Sequence, residues 1–103
     1  MATYIMLMKF INPGVDSIQS ANVGRAAGKK AAKALGIKWK QQYLVMGEYD
    51  IMTILEAPND EVVAKFSLMG MTGSLAITTM RAFTESEADK LIRSLRPPEE
   101  SEA

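Results

Sequence analysis

The stretch IKWKQQYLVMGEYDIMTILEA, Ile37 to Ala57, decides the fold. It reads as two strands joined by a tight turn. In the first, Ile37 to Met46, the residues Ile37, Trp39, Gln41, Tyr43 and Val45 share one face at period two. Lys38, Lys40, Gln42, Leu44 and Met46 share the other. The first half is polar on one side, as suits an edge strand. Gly47-Glu48 supplies the turn, because a glycine at the first central position suits a type II′ hairpin, where φ must be positive. Tyr49 to Ala57 returns as a strand with Ile51, Met52, Ile54 and Leu55 apolar on both faces, which marks it as central.

Helices flank this hairpin. Upstream, a helix capped by Asp16 or Ser17 runs to about Leu35 and stops at Gly36, a typical residue just past a helix end. Its apolar positions are small, with Ala26, Ala27, Ala31 and Ala34 beside Ile18, Val23 and Leu35. Gly24 and Gly28 weaken it by about 1 kcal/mol each relative to Ala, and their spacing suggests close packing of helix on sheet. Downstream, Pro58-Asn59-Asp60 ends the strand and caps a helix from Asp60 to about Met69, whose buried stripe is Val62, Val63, Phe66 and Met69.

Two more strands complete the pattern. Thr3 to Phe10 alternates Tyr4, Met6, Met8 and Phe10 with Ile5 and Leu7, so it too is central, and Asn12-Pro13-Gly14 ends it as a turn. Leu75 to Phe83 is the last strand. Thr84-Glu85-Ser86-Glu87 has capping-box spacing and starts a third helix, with Leu91, Ile92 and Leu95 as its apolar side. Pro97 and Pro98 stop that helix. One domain is expected over 1–96, and 97–103 is an acidic tail expected to be disordered.

The order is β-α-β-β-α-β plus a C-terminal helix, an α+β chain of the ferredoxin-like kind. Right-handed crossovers put the first and third strands in the centre and the second and fourth at the edges. Two helices cover one face of such a sheet. The other face, expected to carry Trp39, Tyr43 or their neighbours together with Met and Ile side chains, would be left wet in a monomer, so it should meet a second subunit.

Composition limits the chemistry. The 103 residues carry twelve Lys plus Arg against twelve Asp plus Glu, which argues against a strongly basic nucleic-acid binder. There is no Cys, so disulfides, thiolate metal sites and thiol nucleophiles are excluded. There is no His, which removes the commonest general base and metal ligand. No metal and no cofactor are expected. No stretch approaches the roughly 18 apolar residues that cross a bilayer, and the start does not read as a signal peptide, so a cytoplasmic protein without membrane or nucleic-acid partners is expected.

Four stretches taken together carry a family resemblance. They are Met1 to Leu7, Met46 to Asp50, Glu56 to Asp60, and Thr78 to Thr84. The chain resembles the GYD-domain family of small bacterial proteins, whose Gly, Tyr and Asp are here Gly47, Tyr49 and Asp50. The resemblance covers about Ala2 to Leu95. It implies the dimeric α+β barrel group, in which two ferredoxin-like sheets pack face to face. That group holds cofactor-free oxygenases, haem-related enzymes, lactone isomerases and ligand-sensing modules, so membership does not choose a chemistry. Asn12 and Trp39 match positions used by some haem-degrading barrels, but those need an axial His, which this chain lacks.

The candidate site residues follow from residue type. Tyr49 and Asp50 are the catalytic candidates, because a carboxylate beside a tyrosine can polarise the phenol or take an acidic proton. The bland reading is a turn: Tyr49 packs across the hairpin and Asp50 bonds nearby backbone N–H groups. Arg81 stands in an apolar, hydroxylated strand. It is either paired with Asp50 or Glu48, at a subunit interface, or a clamp for an anion, with Thr78 and Thr79 as hydroxyl donors. Trp39, Tyr43 and Met side chains are expected to wall a ligand site. Met69 and Gly70, with Met71 and Gly73, suit a pocket rim. The basic stretch Arg25, Lys29, Lys30, Lys33, Lys38 and Lys40 reads as a solvated helix face plus protective edge-strand lysines.

The resulting expectation is a homo-oligomeric barrel, a dimer or higher even oligomer, binding a small anionic or apolar molecule through Arg81, Trp39, Tyr43 and Thr79. The alternatives are a cofactor-independent isomerase or monooxygenase using Asp50 or Tyr49, and a purely structural or interaction module.

Overall fold

Four antiparallel strands lie side by side in the order β2-β3-β1-β4, with β1 Ala2–Phe10, β2 Lys38–Leu44, β3 Ile51–Ala57 and β4 Leu75–Ala82. The helices are α1 Ala21–Ala34, α2 Asp60–Gly70 and α3 Glu85–Arg93. This computed structural model describes residues 1–11, 18–70 and 75–95. The expected Asn12-Pro13-Gly14 turn, the Asp16 or Ser17 cap, Met71 and Gly73 in the pocket rim, the Pro97-Pro98 stop and the acidic tail all lie outside those residues.

The topology is the ferredoxin-like one read from the strand pattern, with an added C-terminal helix. β1 and β3 are central because both are apolar on both faces. Tyr4, Met6, Leu55 and Ala57 point to one side and form the buried core with Ala32 of α1 and Val63 and Phe66 of α2. That face is the helix-covered one.

Local signals act where the sequence puts them. Gly36 takes φ +75°, and its N–H reaches Lys33 O at 3.1 Å while Ile37 N–H reaches Ala32 O at 2.9 Å. This is a Schellman end, and it needs a residue tolerant of positive φ. The Asn59 side chain accepts from Val62 N–H at 3.0 Å and so caps α2. Thr84 and Glu87 form a reciprocal capping box on α3, with Thr84 Oγ1 accepting from Glu87 N–H and Glu87 Oε1 accepting from Thr84 N–H. The Thr84 N–H first, and the Thr84 side chain after it, hold the Glu87 carboxyl below its ordinary pKa.

The helices bury less than their patterns suggest. In α1 only Ala32 is fully buried, with Ala31 and Leu35 packed against the core, while Val23 is exposed. In α2 Val63, Phe66 and Ser67 are buried, whereas Met69, expected in the buried stripe, is exposed. No residue of α3 is buried, and Leu91 and Ile92 face outward.

The β2–β3 hairpin departs from the simple reading in one respect that matters for the site. Leu44 pairs with Ile51 and Gln41 with Ile54, the register that a Gly47-Glu48 turn demands, and Gly47 has φ +119°. The regular strands stop short of the turn, and Val45 N–H to Asp50 O at 2.8 Å closes the loop. Past Gln41 the register shifts, so that Trp39 pairs with Leu55 and Lys40 is the extra residue of a bulge. A bulge of one residue reverses the alternation of side chains beyond it. Trp39 therefore joins Gln42 on the helix-covered face, and Gln41 and Tyr43 take the other. The expectation that Trp39 and Tyr43 share the open face is corrected by this single inserted residue.

The open face is apolar across all four strands. One row runs Gln41, Ile54, Ile5, Met80, and the next runs Tyr43, Met52, Leu7, Thr78. Lys38, Glu56, Thr3 and Ala82 form the row at one edge, where Lys40 Nζ lies 3.4 Å from Glu56 Oε1.

Candidate functional site

Between α1, α2 and the covered face of the sheet lies a cavity of about 410 Å³. Its floor is β1 and β3, with Met6, Met8 and Ile51, and Phe66 and Met69 approach from α2. Its roof is α1, where Gly24, Ala27, Gly28 and Ala31 present almost no side chain. A Cβ added at Gly24 would meet no atom within 4 Å, and one at Gly28 would only touch the Trp39 ring, at 3.5 Å. The glycines therefore do not serve the close helix–sheet packing expected of them. They leave space, and the space is the cavity. Its size falls within the roughly 300–1,000 Å³ of ordinary small-molecule sites.

The bulge places Trp39 as the end wall of this cavity, with Lys29 Nζ 5.8 Å from its ring centroid. Beside it runs a chain of polar groups. Arg25 Nε donates to Gln42 Oε1 at 2.7 Å, and Gln42 Nε2 donates to Thr53 Oγ1 at 3.0 Å. Arg25 also donates to Asn22 Oδ1 at 3.0 Å. Thr53 is fully buried and Gln42 half-buried, while Arg25 stands at the surface. The chain thus leads from the buried floor to a cation at the mouth. Sequence reasoning assigned Arg25 to a solvated basic face and passed over Gln42 and Thr53. The available signal was that Gln42 alternates with Leu44 on the face opposite Tyr43, a polar residue on the inward side of an edge strand.

The other candidates are spread over the molecule. Asp50 Oδ2 accepts from Phe10 N–H at 2.9 Å, and Asp50 N–H donates to Met8 O at 2.9 Å. Asp50 thus ties the hairpin to the end of β1. Neither Asp50 nor Tyr49 is among the residues lining the cavity. Arg81 pairs with Tyr4 at the other end of β1 and is not brought together with Asp50. Its guanidinium lies 4.4 Å from the Phe83 ring centroid and 5.7 Å from that of Tyr4, and it donates to the carbonyls of Thr3, at 3.2 Å, and of Ala82. Thr79 Oγ1 is 2.7 Å from Ser67 Oγ, which joins β4 to α2. Tyr43 is exposed on the open face and Thr78 lies in the same row. Of the four ligand-binding candidates only Trp39 lines the cavity, together with the rim residues Met69 and Gly70.

One pairing of a buried tyrosine with an exposed carboxylate was not anticipated. The Tyr4 hydroxyl donates a short hydrogen bond to Asp60 Oδ1 at the start of α2. That bond, aided by burial, raises the Tyr4 pKa above its ordinary value of 10.0. Among the described residues no group of three or more His, Cys, Asp or Glu is arranged to hold a metal ion, and no helix is long and apolar enough to cross a membrane.

The comparisons with known proteins agree with this architecture. The family model for the GYD domain matches residues 4–92. A hypothetical protein from Pyrococcus horikoshii has a similar structure, with TM-score 0.51 and 23% identity over 82% of this chain and 93% of that one. Muconolactone isomerase is similar too, with TM-score 0.52 and 15% identity over 81% of this chain and 90% of that one. At these identities the likeness is one of fold. Comparison with curated protein sequences finds no match.

Proposed function

The chain belongs to the GYD domain family, and from that premise we propose that it is a homo-oligomeric α+β barrel protein that binds a small, largely apolar molecule between sheet and helices. The single observation that carries this reading is the cavity of about 410 Å³, roofed by the glycines of α1 and closed by Trp39. A helix that gives up about 1 kcal/mol at each glycine to keep a space open is hard to explain by stability alone.

The oligomer follows from the open sheet face. Ile5, Leu7, Met52, Ile54, Tyr43 and Met80 form an apolar patch with charged residues at one edge, the anatomy of a subunit interface. Two such sheets packed face to face bury both patches and leave each cavity on the outside of the barrel. Of the other residues offered by the sequence as ligand contacts, Tyr43 serves this reading at the interface, Arg81 at the end of β1, and Thr79 in the tie between β4 and α2, rather than at the cavity wall. The reading takes the cytoplasm as the working compartment.

A cofactor-independent enzyme acting through Asp50 or Tyr49 is the competing reading. It is less favoured because the Asp50 carboxylate is engaged with Phe10 N–H. The test is a thermal melt of the wild-type protein and of Gly24→Leu with and without 1-octanol. The melting temperature of the wild type should rise with 1-octanol, and that of the leucine variant, whose cavity is filled, should not. An equal response of both would defeat the cavity reading.

A further inference from the structure

We propose that the cavity selects molecules with an apolar body and one carboxylate head, and that Arg25 reads the head; this rests on the binding role proposed above. The support is the joining of two spaces of opposite character. The inner one is the apolar cavity. The outer one is an open polar groove of about 460 Å³ between α1 and the β2 edge. The two share Arg25, Trp39 and Gln42. A molecule lying across that junction has its body against Met, Phe and Ile side chains and its head in the groove.

The groove is basic. Arg25, Lys29 and Lys40 line it, and no carboxylate is among its described lining residues. Lys40 is partly answered by Glu56 at 3.4 Å, and Lys29 lies over the Trp39 ring. Arg25 has no such compensation in its hydrogen bonds, since Gln42 and Asn22 offer it neutral amide oxygens. These bonds fix the guanidinium at the junction and leave its charge for an anion. A planar fork held in place this way suits a carboxylate, which it can meet with two parallel N–H donors. Gln42, anchored on buried Thr53, holds the fork from behind. The bulge at Lys40 is what makes the arrangement possible, because without it Trp39 would point to the opposite face from Gln42.

The chain has one tryptophan, so its emission reports on this junction alone. Octanoate and 1-octanol share a chain length and differ in the head. Titrating each into the full-length protein, octanoate should shift Trp39 emission saturably and bind about tenfold or more tighter than 1-octanol, the factor expected of about 1.4 kcal/mol of charge-assisted hydrogen bonding. Arg25→Gln should bring the two affinities close together. Lys29→Gln should narrow the gap less. Added salt should weaken octanoate and leave 1-octanol nearly unchanged. Equal affinities in the wild type, or a ratio untouched by Arg25→Gln, would overturn the assignment of the head while leaving the cavity reading intact. Failure of both molecules to move Trp39 emission would overturn the two together.

Discussion

Trp39 and Tyr43 belong to the same strand, both at odd positions, and face opposite sides of the sheet. The extra residue at Lys40 separates them, so one strand supplies both the end wall of a cavity and part of an exposed apolar face. The two roles proposed for the sheet are thereby open to separate tests.

Tyr43→Glu puts a charge in the middle of the open face. It should shift the protein toward monomer in sedimentation velocity, with the far-ultraviolet circular dichroism unchanged. Trp39→Ala should leave the assembly intact and weaken ligand binding. If both variants dissociate the oligomer equally, the two faces are not independent.

Gly24→Ala should raise stability by about 1 kcal/mol in urea unfolding, because an alanine favours the helix and its methyl meets no neighbour. Gly28→Ala should give a similar gain, since its methyl only reaches ordinary contact distance from Trp39. A loss at either position would show that the glycines are required by packing and not by the cavity.

Asp50→Ala removes the acceptor of Phe10 N–H and should lower stability by about 1–3 kcal/mol. Binding of octanoate by the folded fraction should not change. An unchanged stability with lost binding would return Asp50 to the role of a site residue.

Two groups give opposite pH signatures. The Tyr4 pKa is raised, first by its hydrogen bond to Asp60, so the stability linked to it is present below the ordinary tyrosine value of 10.0 and is lost as pH rises through the raised one. Asp60→Asn should lower the Tyr4 midpoint in an ultraviolet difference titration, with Tyr4→Phe identifying the signal. The Glu87 pKa is lowered by the Thr84 hydrogen bonds, so its contribution is present above the ordinary carboxyl value and fades as pH falls through the lowered one. Thr84→Ala should raise the Glu87 midpoint toward the ordinary value in a carboxyl-detected NMR titration.

The fold was legible because period and punctuation agree along the chain. Tyr4, Met6, Leu55 and Ala57 alternate as central-strand residues must, and Gly36, Asn59, Thr84 and Glu87 mark helix ends by the hydrogen bonds that they make. The site was not legible in the same way. Alternation through β2 assumes an unbroken period of two, and nothing in Trp39-Lys40-Gln41 announces an inserted residue. The bulge reverses the alternation only for the residues before it, so Trp39 leaves the face of Tyr43 while Gln42 stays opposite Tyr43 as the period of two requires. Gly24 and Gly28 were read as a packing device because sequence gives no distance from helix to sheet. Arg25 was lost among neighbouring lysines. Tyr4 and Asp60 are 56 positions apart, and only the sheet brings them together.

The most direct test is a native mass spectrum of the gently purified protein. The expected result is an even-numbered assembly in which the protomers carry an added small mass that Gly24→Leu removes. A bare monomer would contradict it, because the apolar open face would then need no partner and the cavity would hold no occupant.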